Sequence, residues 1–344
     1  MSWPAILACY VIIIILSPSF LGAQQPTVFN ATDVASLLAA TASANDNPGQ
    51  PAVIGIAPGI YRLKESIVLT ADSVSLIGQG QAHVMCSSGA STAVQFRPAS
   101  DSARTRFSVA NLVFSGCSNT AMQAVFPSQG NASMQVDGVS FTNNTGPEAG
   151  GLLVKGGGTF TAGISSCNFS SNAVSAPSDY GSFPAFSASA ALVSLGGGAL
   201  SQVSVTDCTF TENYVMLPQG PFSDISNTSF PSSGLAILCE GNVTQRETAN
   251  SSCSVGVSDS RFSGNRGLSS ALLLASAEDL YKIWPSPTTP FSANVSASTF
   301  SNNSGITGGG AIGIFNLTDF YLDGSQLYGN KAGSLEKVSF GTIS

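Results

Sequence analysis

Residues 203–213 read VSVTDCTFTEN, and the spacing within this stretch recurs seven times along the chain. Its fixed point is a large apolar residue, here called the anchor. The anchors are Phe114, Phe141, Phe169, Phe210, Phe262, Phe300 and Leu327. The shortest separations between anchors are 27 and 28 residues, and a repeat of this length predicts a solenoid of stacked coils.

Apolar residues precede the anchors at the period of two that places side chains on one face of a strand. The residue located five positions before each anchor is, in order, Val109, Val136, Ile164, Val205, Val257, Val295 and Leu322. The residue located seven positions before each anchor is Phe107, Met134, Ala162, Val203, Val255, Ala293 and Phe320. Small or turn-prone residues lie three positions before the anchors: Asn111, Gly138, Ser166, Asp207, Asp259, Ala297 and Gly324. They predict a bend between two short strands.

Asparagine follows six of the seven anchors at a distance of three residues, and Cys117 takes this place after Phe114. The six are Asn144, Asn172, Asn213, Asn265, Asn303 and Asn330. We expect each of them to start the next bend, since asparagine tolerates left-handed backbone angles and can bond its own main chain there.

A glycine pair followed by an apolar run forms the second half of the unit. It occurs at residues 150–154, 197–200 and 309–312, with weaker versions at 233–237 and 269–273. Stacked about 4.8 Å apart, such units form an all-β parallel β-helix with internal ladders of Phe, Val and Asn. A solenoid of α-helices is the alternative. The high content of β-branched residues and glycine argues against it, and the apolar residues show no 3.6-residue period.

The repeats belong to one predicted domain, residues 27–344. Residues 27–106 contain a cap and the first coils, with capping side chains at Asn30 to Asp33 and a short helix at 34–42. We expect a turn at Pro58 to Tyr61 and strands at 53–56, 67–69, 74–77 (ending in Gly78-Gln79-Gly80) and 93–96. Residues 107–331 form the repeat coils, and 332–344 form an incomplete C-terminal end, so the chain is either a fragment or is covered there by something else.

Residues 1–23 are predicted to be a secretory signal peptide. They carry no charge and contain an apolar stretch from Ile6 to Leu16 and a small-residue ending. The alternative is an uncleaved membrane anchor, although the stretch is shorter than the ~20 residues of a spanning helix. An extracellular location, secreted or at the cell surface, follows.

Cysteine usage fits an oxidising compartment. Of seven cysteines, Cys9 lies in the signal, which leaves an even number. We predict that Cys86 pairs with Cys117 and Cys239 with Cys253. Cys167 and Cys208 lie two residues before consecutive anchors, so they should point inward one above the other, either bonded or as buried thiols.

Ten sequons support a eukaryotic secretory route and a glycoprotein. They begin at Asn30, Asn131, Asn143, Asn168, Asn227, Asn242, Asn250, Asn294, Asn302 and Asn316. Only 9% of residues are charged and the net charge is −7. This composition argues against nucleic acid or acidic lipid surfaces as partners, because it offers no basic patch that could release counterions.

Insertions lengthen three consecutive units and should cluster over the middle of the solenoid. They carry aromatic residues, which either stack on a sugar or protein partner or fold back to bury the bases of their own loops. These residues are Tyr180, Phe183, Phe186, Tyr214, Phe222, Tyr281 and Trp284.

Phe-x-x-Asn combined with Gly-Gly-Ala-Ile or Gly-Gly-Ala-Leu resembles the repeats of chlamydial polymorphic outer-membrane proteins from about residue 107 to 331. The first element matches at Phe141, Phe169, Phe210, Phe262 and Phe300, and the second at Gly197 and Gly309. The N-terminal part is similar to the opening coils of the pectin-lyase-like superfamily. The resemblance implies a right-handed parallel β-helix, an extracellular location and an adhesive role. The bacterial relatives carry a C-terminal membrane barrel, whose alternating ten-residue strands this chain lacks.

Carbohydrate-active enzymes are the competing interpretation, because β-helices often process pectin. The motifs of polygalacturonases are missing here, and the one histidine, His83, is expected to be structural or exposed. A lyase would need acidic ligands for calcium and a basic residue. Asp207, Asp259 and Arg261 are the candidates, since the two carboxylates occupy the same bend on successive coils. An aspartate at a bend more often bonds nearby backbone N–H groups.

We therefore predict a secreted, non-catalytic β-helix glycoprotein without cofactor or metal, which recognises an extracellular glycan or a cell-surface protein. Two alternatives stay open. One is a polysaccharide lyase or hydrolase that uses Asp207 and Asp259, with calcium as a cofactor in the lyase case. The other is a fragment of a larger cell-surface protein.

Overall fold

Parallel strands stack throughout the described part of the chain in the computed structural model, which covers residues 25–99, 104–127, 130–175, 186–196, 200–216, 230–239, 252–276, 290–306, 309–315 and 317–333. One helix, Val34–Asn45, accompanies them in these ranges. Each strand pairs in parallel with its equivalent in the next coil. The predicted all-β solenoid is confirmed.

Two faces of the solenoid share one 17-stranded sheet. The long-strand face contains Thr27–Ala31, Ala52–Ile56, Asn131–Asp137, Thr159–Ser165, Leu200–Thr206, Ser252–Ser258, Phe291–Ser296 and Asp319–Asp323. The anchor face contains Gly59–Leu63, Ser140–Thr142, Asn168–Ser170, Thr209–Thr211, Arg261–Ser263, Thr299–Ser301 and Gln326–Tyr328. Ser73–Cys86 and Arg104–Ser115 are long enough to contribute to both faces.

Two further sheets complete the coil. The short-strand face contains Thr145–Gly146, Ala173–Ser175, Tyr214–Met216, Arg266–Gly267, Ser304–Gly305 and Lys331–Ala332. The glycine-led face contains Ile67–Leu69, Val94–Phe96, Met122–Val125, Leu152–Gly156, Ala191–Leu195, Leu235–Cys239, Leu272–Ser276 and Ile312–Phe315. An added pair of strands, Phe186–Ala188 with Phe230–Ser232, lies within the insertions.

The corner between the long-strand and anchor faces is a single residue in the left-handed conformation. Its φ is positive in all seven repeats: Asn111 (56°), Gly138 (60°), Ser166 (50°), Asp207 (54°), Asp259 (52°), Ala297 (46°) and Gly324 (56°). One such residue redirects the strand while the pairing with neighbouring coils continues on both sides. The predicted bend is confirmed at every repeat.

The expectation that the repeated asparagine starts the next bend is wrong. The residue before it takes the left-handed angle instead: Gly116 (φ 72°), Asn143 (55°), Ser171 (54°), Glu212 (54°), Gly264 (67°), Asn302 (54°) and Gly329 (65°). This corner turns the asparagine side chain inward, and Asn144, Asn172, Asn213, Asn265 and Asn303 are completely buried. The amide then bonds the neighbouring coils and not its own main chain.

These asparagines form a continuous hydrogen-bonded ladder. Asn213 shows the pattern: its Nδ2 donates to the carbonyl of Phe169 (2.9 Å) and to Oδ1 of Asn265 (3.0 Å). Its Oδ1 accepts the backbone N–H (3.0 Å) and the Nδ2 (3.1 Å) of Asn172. Both amide hydrogens and both oxygen lone pairs are therefore satisfied, which removes the cost of burying them. Cys117 begins the ladder by donating its backbone N–H to Asn144 Oδ1 (3.1 Å).

The anchor rings form a second ladder beside the first. The centroids of Phe169, Phe210 and Phe262 are separated by 4.8 and 4.5 Å with nearly parallel planes. The stack extends to Phe114 at one end and Phe300 at the other. The spacing matches the distance between neighbouring strands, so each coil adds one ring in register.

The helix lies at the N-terminal end of the solenoid and contacts the first strands. Asp33 is its N-cap and accepts the backbone N–H of Ser36 at 2.7 Å. The helix extends three residues beyond the predicted end at Ala42 because its buried face continues to Ala44. The Tyr61 hydroxyl, completely enclosed below it, donates to a backbone carbonyl of Ala31 (3.0 Å) or Ala57 (2.9 Å).

Two predicted boundaries in the first coils are wrong. Gly59–Leu63 is a strand and not a turn, because Tyr61 and Leu63 point into the core and their backbone pairs with 82–86. The glycines at 78 and 80 do not end their strand. Ser73–Cys86 continues through them with a local irregularity in its pairing to the next strand.

Apolar ladder positions become exposed in the last described coil. Leu322 and Leu327 are 44% and 46% exposed, whereas their equivalents Val295 and Phe300 in the preceding coil are fully buried. Residues 334–344 lie outside the described residues.

Candidate functional site

The outer surface of the long-strand face is polar and nearly uncharged in the middle coils. From Asn131 to Ser296, its five strands carry one charged side chain, Asp137. The other outward side chains are mainly hydroxyls and amides: Ser133, Gln135, Thr161, Gln202, Ser204, Thr206, Ser254, Ser258, Ser292, Asn294 and Ser296. Arg104 and Arg106 lie in the coil before this stretch, and Asp319 and Asp323 lie in the coil after it. Such a surface can offer neutral hydrogen bonds to a ligand.

A ladder of hydroxyls runs along the edge of the anchor face. One hydroxyl residue follows each anchor in six consecutive coils, in register: Ser115, Thr142, Ser170, Thr211, Ser263 and Ser301. Two of these hydroxyls bond each other, since Ser301 donates to Ser263 at 3.2 Å. Sequence reasoning missed this ladder, although its signal was the hydroxyl residue that follows each of these anchors.

Asp207 and Asp259 occupy the left-handed corner on consecutive coils, and both are exposed. The Ser166 hydroxyl, at the same corner of the preceding coil, donates to Asp207 Oδ2 at 3.1 Å. No ion pair joins Arg261 to Asp207 or Asp259, three residues that the structure describes. The corner geometry accounts for aspartate here, since Asn, Gly, Ser and Ala fill the same position elsewhere.

His83 lies on the outer side of the anchor face, partly buried. Its Nε2 lies 2.7 Å from Ser115 Oγ. Burial lowers the pKa of the ring below its ordinary value, and the positive charge of Arg62 lowers it further. A catalytic histidine is ordinarily oriented by a carboxylate, whereas the charge that acts on His83 is a cation.

Metal-binding chemistry has no obvious location in the described part of the chain. Within those ranges, no group of three or more His, Cys, Asp or Glu side chains converges to hold an ion. In the ranges that the structure describes, Asp207 and Asp259 together thus offer at most two carboxylates to a metal ion.

Sequence reasoning missed a second apolar layer outside the solenoid. Side chains on the outer side of the glycine-led face are buried in four consecutive coils: Leu153, Leu192, Ala236, Leu238, Leu273 and Ala275. Ala188 belongs to the same cluster, and its strand contacts Ala191–Leu195 and Leu235–Cys239. The signal was the uninterrupted apolar run in these strands, which is typical of strands covered on both faces.

The aromatic candidates in the insertions lie mostly outside the described residues. This applies to Tyr180, Phe183, Phe222, Tyr281 and Trp284. The backbone of Phe186 belongs to the added strand pair. Tyr214 is 39% exposed on the short-strand face, beside Met216, which is 43% exposed.

Sequon asparagines that the structure describes all lie at the surface. They are Asn30, Asn131, Asn143, Asn168, Asn294 and Asn302, and each is exposed. Asn227, Asn242, Asn250 and Asn316 lie outside the described residues.

Four cysteines form two disulfides in the predicted pairs. Cys86 bonds Cys117 across consecutive coils with a Cα–Cα distance of 4.9 Å, and Cys239 bonds Cys253 at 6.4 Å. The bonds are compatible with an extracellular protein. Cys167 and Cys208 are buried thiols. Over the described residues, no helix combines the length and apolar character that crossing a membrane requires.

No protein-family model and no curated protein matches this sequence. Among solved structures, the ORF18 protein of Geobacillus virus E2 aligns with a TM-score of 0.35 and 12% identity. The alignment covers 96% of this chain and 66% of the viral protein. The A-module of Azotobacter vinelandii mannuronan C-5 epimerase AlgE4 aligns with a TM-score of 0.28 and 15% identity, covering 94% of this chain and 98% of the module. With TM-scores this low, the similarities carry no inference about function.

Proposed function

We propose that this chain is a non-catalytic, extracellular β-helix glycoprotein that recognises a glycan or a protein at a cell surface. Its repeats are of the polymorphic outer-membrane type, and the chain needs neither cofactor nor metal for this role. An adhesive or structural role at the cell surface is supported by a nearly uncharged outer surface that extends over consecutive coils.

The left-handed corner is the observation that carries the proposal. Asp207 and Asp259 were the strongest candidates for catalysis, yet their backbone lies at φ 54° and 52°, as at the same corner of every repeat. Aspartate is among the few residues that adopt this conformation readily. A turn requirement is therefore a sufficient reason for both carboxylates.

The neutral outer surface supports recognition over chemistry. General acid–base catalysis needs a group whose pKa is matched to its task, and such groups usually lie in a cleft. The long-strand face instead offers hydroxyls and amides on adjacent coils. Its exposed sequons, such as Asn131 and Asn294, support glycans on the same side.

The test uses the mature chain on a glycan array and against pectin, alginate and other acidic polysaccharides, with and without calcium. Retained binding and new unsaturated or reducing ends are both followed. We expect binding without cleavage, or else a protein partner captured from the surface of a cell. New ends that disappear in the variant D207N/D259N would overturn the proposal and establish a carbohydrate-active enzyme. The single variant E212Q, which neutralises an exposed carboxylate at the other left-handed corner of the same coil, is the matched control.

A further inference from the structure

Two thiols lie stacked in the core at the point where the repeats begin to lengthen. Cys167 and Cys208 each stand two residues before an anchor, and they are 2% and 1% exposed. Their strands are neighbours in the sheet, because Asn168 pairs with Thr209 and the backbone N–H of Thr209 donates to the carbonyl of Cys167 at 2.8 Å.

The same position in the other repeats shows that neither thiol is required for packing. It is filled by Leu112 and Val139 in the earlier coils and by Ser260, Ser298 and Ser325 in the later ones. The serines continue a polar ladder, in which Ser260 accepts the backbone N–H of Cys208 at 3.2 Å. Either a small apolar residue or a serine would thus suit both places, and a pair of cysteines on consecutive coils calls for another reason.

The backbone geometry is that of an inter-coil disulfide. Neighbouring strands lie about 4.8 Å apart, within the range of Cα–Cα distances that a disulfide spans. This chain already contains such a bond, since Cys86 and Cys117 join consecutive coils at 4.9 Å. Both Sγ atoms of the stacked pair also point to the same interior region: Cys167 Sγ donates to the Ser165 carbonyl at 3.1 Å and Cys208 Sγ to that of Thr206 at 3.3 Å.

We propose that Cys167 and Cys208 form a third disulfide in the mature protein. The proposal rests on the extracellular part of the proposed function, because the oxidant is a protein or small-molecule disulfide of the secretory compartment. The bond ties the 41-residue unit to the coil before it, so that the insertions start from a cross-linked pair of coils.

The chemistry is two successive exchange steps. The thiolate of one of the two cysteines attacks the external disulfide, forms a mixed disulfide and releases one thiolate. The other cysteine then loses its proton and attacks the protein sulfur of the mixed disulfide, which releases the second thiolate. Two protein thiols are oxidised and one external disulfide is reduced to two thiols. Because the pair is buried in the folded chain, these steps belong to folding.

The test counts thiols in full-length protein purified from a eukaryotic secretion host. The protein is unfolded without reductant, alkylated and mapped by peptide mass spectrometry. We expect no alkylated cysteine among the six of the mature chain, and a peptide that links Cys167 to Cys208. Alkylation of both residues, or a link from either to another cysteine, would overturn the proposal.

Two further measurements keep the result independent of the ligand and of the host. The variant C167S, which introduces the residue type found at the equivalent Ser260, should expose one alkylatable thiol at Cys208. Wild-type protein refolded in a glutathione redox buffer should also form the bond, and a refolded protein that keeps both thiols would contradict the proposal. Failure of glycan or cell-surface binding would leave these thiol counts unchanged, so the two proposals fail separately.

Discussion

The side-chain amide of Asn172 donates to Oδ1 of Asn213 at 3.1 Å, and both side chains are completely buried. This contact repeats from coil to coil along the solenoid. A buried polar ladder of this kind is stabilising only while each member keeps its partners.

Replacing Asn213 by alanine should lower the free energy of unfolding by at least about 3 kcal/mol. The change leaves two donors of Asn172 and the carbonyl of Phe169 without their partner, and each buried unsatisfied group costs about 1–3 kcal/mol. Urea unfolding measures the loss. The control is Gln202→Ala on the same coil, whose exposed side chain should contribute within about 0.5 kcal/mol. Equal losses in the two variants would contradict the ladder's role.

Phe210→Ala should cost about 3–5 kcal/mol, because the ring is fully buried between two stacked neighbours. Phe210→Leu should cost about 1.5 kcal/mol, since leucine fills most of the volume and loses mainly the ring stacking. Thermal or urea unfolding separates the two. Similar losses in both variants would show that the stack matters more than the volume.

Ala297→Gly should raise stability by about 0.5–1 kcal/mol. Ala297 has φ 46°, a left-handed angle that costs alanine roughly 1–2 kcal/mol, partly offset by the greater freedom of glycine in the unfolded chain. The matched control is Ser292→Gly, in the adjoining strand, which should lower stability by about 0.5–1 kcal/mol. A destabilised Ala297→Gly variant would refute the account of the corner.

Asp207→Asn should leave stability unchanged within about 0.5 kcal/mol, because asparagine adopts the same left-handed angle. Asp207→Val should cost about 2 kcal/mol, since a branched side chain is strained there. Denaturant midpoints for both variants check this. If both were neutral, the corner would not explain why an aspartate stands at this position.

Acid should weaken the fold through His83, the one histidine of the chain. Burial, aided by Arg62, lowers the pKa of His83 in the folded protein. The unfolded chain therefore binds the proton more readily than the folded protein does. The contribution of neutral His83 to the free energy of unfolding is complete above the unfolded pKa of about 6.5 and declines as the pH falls below it. An NMR titration should give a pKa below about 6.5. The His83→Gln variant should lose less stability than wild type between about pH 8 and pH 5, and an equal loss would refute this role.

The local sequence pattern was sufficient to predict the strands and the bend of the repeated half of each coil. The apolar positions before each anchor, such as Val205 and Val203, and the small residue at the corner predicted strand, bend and strand correctly. Residues two apart must share a face of a strand, and a corner that needs φ near about 55° admits few residue types. Both disulfide pairs were also predicted from the sequence.

Contacts between coils decided the rest. Asparagine suits a bend by its own propensity, yet Asn144 to Asn303 point inward because the residue before each makes the turn and the neighbouring coils supply every hydrogen bond. Gly59–Leu63 became a strand because Tyr61 and Leu63 point into the core and their backbone pairs with 82–86. The outer apolar layer at Leu153 and Leu192 needed strands from distant parts of the sequence. The sequence by itself determined the strands and bend of each coil, because the spacing of apolar and turn residues is a local pattern. The tertiary structure decided which side chains each coil buries, because their partners in neighbouring coils lie 27 or more residues away.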